Sequence, residues 1–189
     1  MHAHAGHIAE NRDTSETTEN SSVVAVYNTH VEAEEAIKEL QKSGFDMRQL
    51  SIVGKDYQTE EDVVGYYTTG ERMKKWGGAG AFWGGLWGVM VGSAFFLVPG
   101  IGPLLAAGPL VASIVGALEG AVVVGGLSAL GAGLYSIGIP EDSIIEYETH
   151  VKSGKYMVIT HGSAEDVTRS KETLASTKHQ GVKQHTCQT

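Results

Sequence analysis

The chain has a single cysteine, Cys187, among its 189 residues. No disulfide framework can therefore form within it, which fits a reducing compartment. Positive charge is also scarce: 14 Lys and Arg stand against 22 Asp and Glu, for a net charge of −8. That balance argues against nucleic-acid binding as the main task. No basic-then-apolar stretch opens the chain, so there is no sign of a cleaved secretion signal. Catalytic motifs are missing as well: there is no paired-cysteine motif, no H-E-x-x-H and no G-x-S-x-G. The stretch GGAGAFWGG resembles a phosphate loop, but Trp83 takes the place of the last glycine in G-x-G-x-x-G and no strand precedes it. The expectation is a protein that is not an enzyme, with no catalytic residue and no cofactor.

The most telling absence is local. From Trp76 to Pro140 the chain carries one charged side chain, Glu119, and holds 17 of its 25 glycines. Gly77 to Val98 is free of charge, and as a helix its 22 residues would reach about 33 Å, enough for a bilayer core. Pro99-Gly100-Ile101-Gly102-Pro103 then interrupts any helix, Gly108-Pro109 interrupts it again, and Val111–Gly138 is a second apolar run. The economical expectation is a hydrophobic helical hairpin over residues 76–139, with both ends on one side.

Small residues recur in this segment every four positions. Gly80, Gly84, Gly88 and Gly92 would line one face of the first helix; Ser113, Ala117, Ala121, Gly125, Ala129 and Gly133 would line the second. Glycine costs roughly 1 kcal/mol per helical site relative to alanine, so the repeat points to close helix packing of the small-xxx-small kind. The partner helix can belong to the same chain or to another. Arg72, Lys74, Lys75 and Trp76 precede the segment as positive residues and an aromatic do at the cytoplasmic edge of a membrane span; a solvated basic turn is the plainer alternative. Glu119 is costly in such surroundings and marks either a structural polar contact or a path for protons or ions.

The flanks read as ordinary soluble sequence. Residues 1–21 form a polar tail without apolar period, expected to be disordered. Its His2, His4 and His7 are weak candidates for a metal, since nothing nearby would organise a site. Val23–Asn28 is a strand, and Thr29 with Glu32 opens a helix whose buried face is Ala33, Ala36, Ile37 and Leu40. Gly44 ends that helix, and Arg48–Gly54 is a second strand. After Pro140 a helix is expected up to Gly154, then a strand over Tyr156–Thr160 and a last helix opened by Ser163 and Asp166. A polar tail is expected from Ser176 onward. His150 and His161 read as surface or rim histidines.

VVAVYNTHVEAEEAIKEL and YMVITHGSAEDVTRSKETL share a strand, a capped start and a helix. The expected fold class is α+β: a small ferredoxin-like sandwich built from residues 22–75 and 140–175 and interrupted by the hairpin. The strand–helix–strand start, PGIGPLLAAGPL and GIPEDSIIEYETHVKSGKYMVITHG together resemble the bacterial general-stress, heat-induced stress protein family (YflT-like domain) and related uncharacterised glycine-rich membrane proteins. The likeness spans roughly residues 22 to 175. It implies a stress-associated, membrane-linked protein without assigned enzymatic activity, and it brings no catalytic residues with it.

Three functional readings follow. One is a homo-oligomer anchored in the bacterial cytoplasmic membrane by the hairpin, with its α+β domain in the cytoplasm. Another is a soluble, cytoplasmic homo-oligomeric scaffold whose hairpins bury one another, or an apolar partner or lipid. The last is a pore-like assembly that uses Glu119. The expected partners are further copies of the chain and a bilayer or apolar surface, with no nucleic acid.

Overall fold

The computed structural model describes residues 21–55, 94–119 and 127–186. Among these the chain is α+β, with one six-stranded antiparallel sheet and five α-helices. The strands are β1 (Ser21–Tyr27), β2 (Leu50–Lys55), β3 (Ala94–Val98), β4 (Gly102–Ala107), β5 (Tyr156–Gly162) and β6 (Gly181–Thr186). The helices are α1 (His30–Lys42), α2 (Leu110–Glu119), α3 (Ala129–Ser136), α4 (Glu141–Lys152) and α5 (Ala164–Ala175). Across the sheet the order is β3-β4-β2-β5-β1-β6, so β5 is inserted between β1 and β2.

Every residue of β1 is buried. That is why its sequence reads as an unbroken apolar run rather than an alternating one, as strands covered on both faces do. Val23, Ala25 and Tyr27 face one cluster with Ala33, Ala36, Ile37 and Leu40 of α1 and Val167 and Leu174 of α5. Val24 and Val26 face the other, with Leu110 and Ile114 of α2, Leu130 and Leu134 of α3, and Ile144, Tyr147 and Val151 of α4.

The flanking elements follow the local signals closely. Thr29 Oγ1 accepts the Glu32 N–H, and the Glu32 carboxylate accepts the Asn28 N–H, one residue earlier than in the standard capping box. Ser163 Oγ accepts the Asp166 N–H at the start of α5. The expected strand over Arg48–Gly54 begins at Leu50, because Met47–Gln49 forms a short 3-10 turn capped by Asp46.

Within the apolar segment the fold departs from a helical hairpin. The helix expected up to Val98 does not reach it, because residues 94–98 are a strand paired with β4, Val98 opposite Gly102. Ile101 N–H donates to Val98 O across Pro99 and Gly100, and Gly100 has φ +82°. Proline followed by a glycine of positive φ is what a type II turn requires, so the prolines close a β-hairpin instead of separating two helices. Residues 76–93 lie outside the described residues. The second expected helix, 111–138, is not continuous: among the described residues α2 and α3 are separate, and Ser128 is not helical and starts α3 afresh, its Oγ accepting the Gly131 N–H. No helix among the described residues is long and apolar enough to cross a membrane.

The expected polar tail also needs correcting. Residues 181–186 form β6 and pair with β1 along its whole length, Ser22 opposite His185 and Val26 opposite Gly181. The segment has little β-propensity of its own; the free backbone edge of β1 recruits it.

One junction joins the flank to the apolar segment. Between β4 and α2 the chain turns at Gly108, with φ +92°, where a Cβ would lie against the Leu50 carbonyl and 2.9 Å from Ser51 Cα. Ser51 Oγ of β2 then accepts the Leu110 N–H at 3.2 Å, in the interior, and so caps α2 from another strand. Ser51→Ala is expected to lower stability by about 1–2 kcal/mol through loss of that cap. Gly108→Ala should cost at least about 2 kcal/mol, since it adds left-handed strain to the clash. Urea denaturation of both variants checks this; an equal or smaller loss for Gly108→Ala would remove the account of the turn.

Candidate functional site

Antiparallel register brings three polar side chains into one row across the sheet. Ser22 of β1 stands opposite His161 of β5 on one side and His185 of β6 on the other. All three share the face covered by α3 and α4. Ser22 Oγ donates to the Ile137 carbonyl at 2.8 Å. Tyr147 Oη of α4 lies 2.7 Å from His185 Nε2, with the two rings edge to face at 86°. His161 Nδ1 is buried without a hydrogen-bond partner.

Charges border the row. Lys183 Nζ donates to Glu146 Oε2 at 2.6 Å, and His150 Nε2 lies 3.6 Å from Glu146 Oε1. The lysine's hydrogen bond holds the Glu146 carboxyl below its ordinary range. Burial pushes His161 below the usual imidazole value, and burial followed by the Lys183 charge does the same to His185. Burial also raises the Tyr147 phenol far above its ordinary value. Both imidazoles thus favour the neutral form, and the phenol stays protonated. The strip resists taking up protons and does not supply an activated nucleophile, because the Ser22 hydroxyl is committed to a backbone carbonyl. No group of three or more His, Cys, Asp or Glu that could hold a metal occurs among the described residues.

A second polar anchor ties α3 to α4. Ser128 Oγ donates to Glu148 Oε1 in a short contact while it caps α3. A Cβ on Gly131 would lie 2.7 Å from the same Glu148 oxygen and 3.0 Å from Ile144. On the opposite face of the sheet, Glu34 is buried with its Oε1 2.9 Å from His30 Nδ1, and the His30 ring lies 5.5 Å from that of Tyr156.

Residues 22–95 match the heat induced stress protein YflT domain. The YflT match covers β1, α1, β2 and the start of β3, under half of the 189 residues. It stops short of Pro99–Leu110 and of the Gly138–Asp142 start of α4, two stretches on which the wider likeness was drawn. Of the polar row only Ser22 falls within the YflT match. No curated protein and no solved structure matches the chain.

The residues singled out from sequence fall in different places. Gly133 is buried in α3, where a Cβ would meet Ile114 of α2 at 3.0 Å, so its close approach is to a helix of the same chain. Ala129 is partly buried against the same cluster, and Ala117 is half-buried on α2. Because Ser128 restarts the helix, the four-residue interval does not run along one axis from Ala117 to Gly133. Glu119 is the last residue of α2. Gly80, Gly84, Gly88, Gly92, Ala121, Gly125, Arg72, Lys74, Lys75, Trp76, His2, His4 and His7 lie outside the described residues. Ser22, Tyr147 and His185 were missed: each is unremarkable in its own segment, and only strand register unites them.

Gly131→Ala tests the α3–α4 anchor. The added methyl should drive the Glu148 carboxylate off Ser128 and cost about 1–3 kcal/mol. Glu148→Ala should then lessen the penalty of Gly131→Ala in a double-mutant cycle followed by urea unfolding. Additive losses would show that the two sites are not coupled.

Proposed function

We propose that the protein is a non-enzymatic, stress-associated homo-oligomeric scaffold, in which the apolar segment covers its own sheet and meets a second copy at its exposed edge. The stress association is carried over from the YflT match over residues 22–95. The observation that supports self-association is β3. Among the described residues it ends the sheet beside β4, its sequence AFFLV is uncharged, and Leu97 is 79% exposed. An apolar edge strand offers backbone donors and acceptors as a template for another strand, and an uncharged one has no like-charge repulsion against its own copy. The β1-α1-β2 and β5-α5-β6 units with strand order β2-β5-β1-β6 also support a ferredoxin-like reading, in which the intervening chain adds β4 and β3 to the sheet and lays α2, α3 and α4 on its second face.

The membrane-anchored reading rests on residues 76–93 and the basic-aromatic lead-in Arg72, Lys74, Lys75 and Trp76. With a strand starting at Ala94, the uncharged run left for a helix is 77–93. It would reach about 26 Å, at the lower limit for a span of about 30 Å. The pore-like reading needs Glu119 to line a path. It predicts that Glu119→Gln changes ion leak in vesicles carrying the protein, and unchanged leak removes it.

Detergent-free size exclusion with light scattering, after carbonate extraction of native membranes, separates the first two readings. The scaffold is expected to elute as a defined oligomer, and Leu97→Lys is expected to shift it toward the monomer by tenfold or more in dissociation constant, about 1.4 kcal/mol. Retention in the carbonate-washed pellet, with solubility only in detergent, would overturn it in favour of the anchor. A monomeric wild-type protein would overturn it outright.

A further inference from the structure

We propose that the uncharged run 77–93 docks on the face of the sheet that carries α1 and α5, over β2, β4 and β3, and completes the layer those helices begin. Among the described residues that face is only half covered. α1 packs on β1 and β5, and α5 on β1, β5 and β6. Of β4 only Ala107 joins the cluster beneath them, and of β3 no residue does. Alternation along the strands shows which side chains are left over. Phe96 and Val98 of β3, with Leu104 and Ala106 of β4, belong to the opposite cluster, so Leu97, Pro103 and Leu105 stand on the α1–α5 face. Leu97 is 79% exposed, Pro103 is exposed and Leu105 is half-buried. Beside them lies Gly54 of β2, where a Cβ would strike the Tyr156 ring. None of these four residues is polar, and an apolar sheet face is stable only against another layer.

Topology selects the occupant. β1 and β2 both run antiparallel to β5, and β2 and β3 both run antiparallel to β4, so β1, β2 and β3 are mutually parallel. The chain steps from β1 to β2 with β5 between them, and α1 makes that crossing on its own face. It then steps from β2 to β3 with β4 between them, in the same direction along the sheet. Crossovers between parallel strands of one sheet keep one hand almost without exception. Two successive steps in one direction share a hand only when both cross the same face. The β5-α5-β6 crossover obeys this rule: its strands and its step are both reversed, and α5 again lies on the α1 face.

The connecting residues suit the place. Residues 56–93 leave β2 at Lys55 and enter β3 at Ala94, well beyond the length of about a dozen residues that such a crossover needs. Their part next to β3, 77–93, has no charged residue and sets Phe82, Trp83, Leu86 and Trp87 among small ones. A second copy on the same patch would pay association entropy that a covalently joined segment does not. The docking is centred on Pro103 and Leu105, with Leu97 at its rim. It leaves the main-chain edge of β3 open, so the inference holds whether or not a copy pairs there.

The three tryptophans of the chain, Trp76, Trp83 and Trp87, lie in this run or directly before it, so their fluorescence reports on it alone. The test attaches a nitroxide to one introduced cysteine of the full chain in a Cys187→Ser background. On Pro103→Cys it is expected to remove most of the fluorescence relative to a diamagnetic label. On Ile145→Cys, 66% exposed on α4 at the other face, it should remove little. Quenching from neither site, or as strongly from Ile145, overturns the proposal. So does quenching of unlabelled protein by an added Pro103-labelled chain whose tryptophans are changed to phenylalanine, which would put a second copy on the face. Quenching by brominated phosphatidylcholine vesicles in place of the Pro103 label would put the run in a bilayer and overturns it as well. Should the label itself displace the run, alkylation of the unlabelled thiols decides. The Pro103→Cys thiol is expected to react several-fold more slowly than the Ile145→Cys thiol at every protein concentration. Equal rates, or protection lost on dilution, overturn the proposal.

Discussion

The structure depends on the need to cover a sheet that is apolar on both faces. β1 and β5 hold valine, isoleucine, methionine and tyrosine on alternate and adjacent positions alike, so neither face can be left to water. The flanking helices α1 and α5 supply one cover. The second face needs about as much apolar surface again, and α4 alone is one amphipathic helix with three buried residues. Helices α2 and α3 provide the rest, with Leu110, Ile114, Leu130 and Leu134 all fully buried. An apolar segment that looked in need of a cover is itself, over this part, the cover.

This arrangement explains the weight placed on a few polar contacts. Helices that carry no charge have no strong preference for one orientation on an apolar face, since dispersion and hydrophobic burial are not directional. Ser51 fixes the start of α2, Ser128 with Glu148 fixes α3 against α4, and Ser22 holds the Ile137 carbonyl that leads into α4. Each is a serine on or beside the second face, and each satisfies a group that burial would otherwise strand.

The sequence signals were strongest where they were local. Thr29 with Glu32, Gly44, Ser163 with Asp166, and the apolar spacing of α1 need only neighbours a few residues away, and these elements are where they were expected. Residues 94–98 read as the end of a helix because Phe, Leu, Val and Ala fit a buried strand as well as a membrane helix, and a run without charge carries no period to choose between them. The Pro-Gly pair at 99–100 marks a break in either case. β6 was invisible because pairing with β1, across more than 150 residues of chain, creates it. The polar row shares that difficulty: Ser22, His161 and His185 are brought together by register alone, which no single segment encodes.

Among the described residues the two edges of the sheet are treated in opposite ways. β6 carries Lys183, Gln184 and His185, the kind of polar edge that discourages further strands. β3 carries AFFLV and leaves Leu97 to solvent. An edge strand that served only to finish a domain would gain from a charge at that position and lose nothing in packing, because an exposed side chain contributes little to the core. The asymmetry therefore supports β3 as the edge built for contact and β6 as the edge built to close the sheet. Association at β3, as proposed, would rest on apolar burial and main-chain pairing. The hold on β6 rests on main-chain pairing with β1 over residues 181–186, reinforced by the Tyr147–His185 and Lys183–Glu146 contacts.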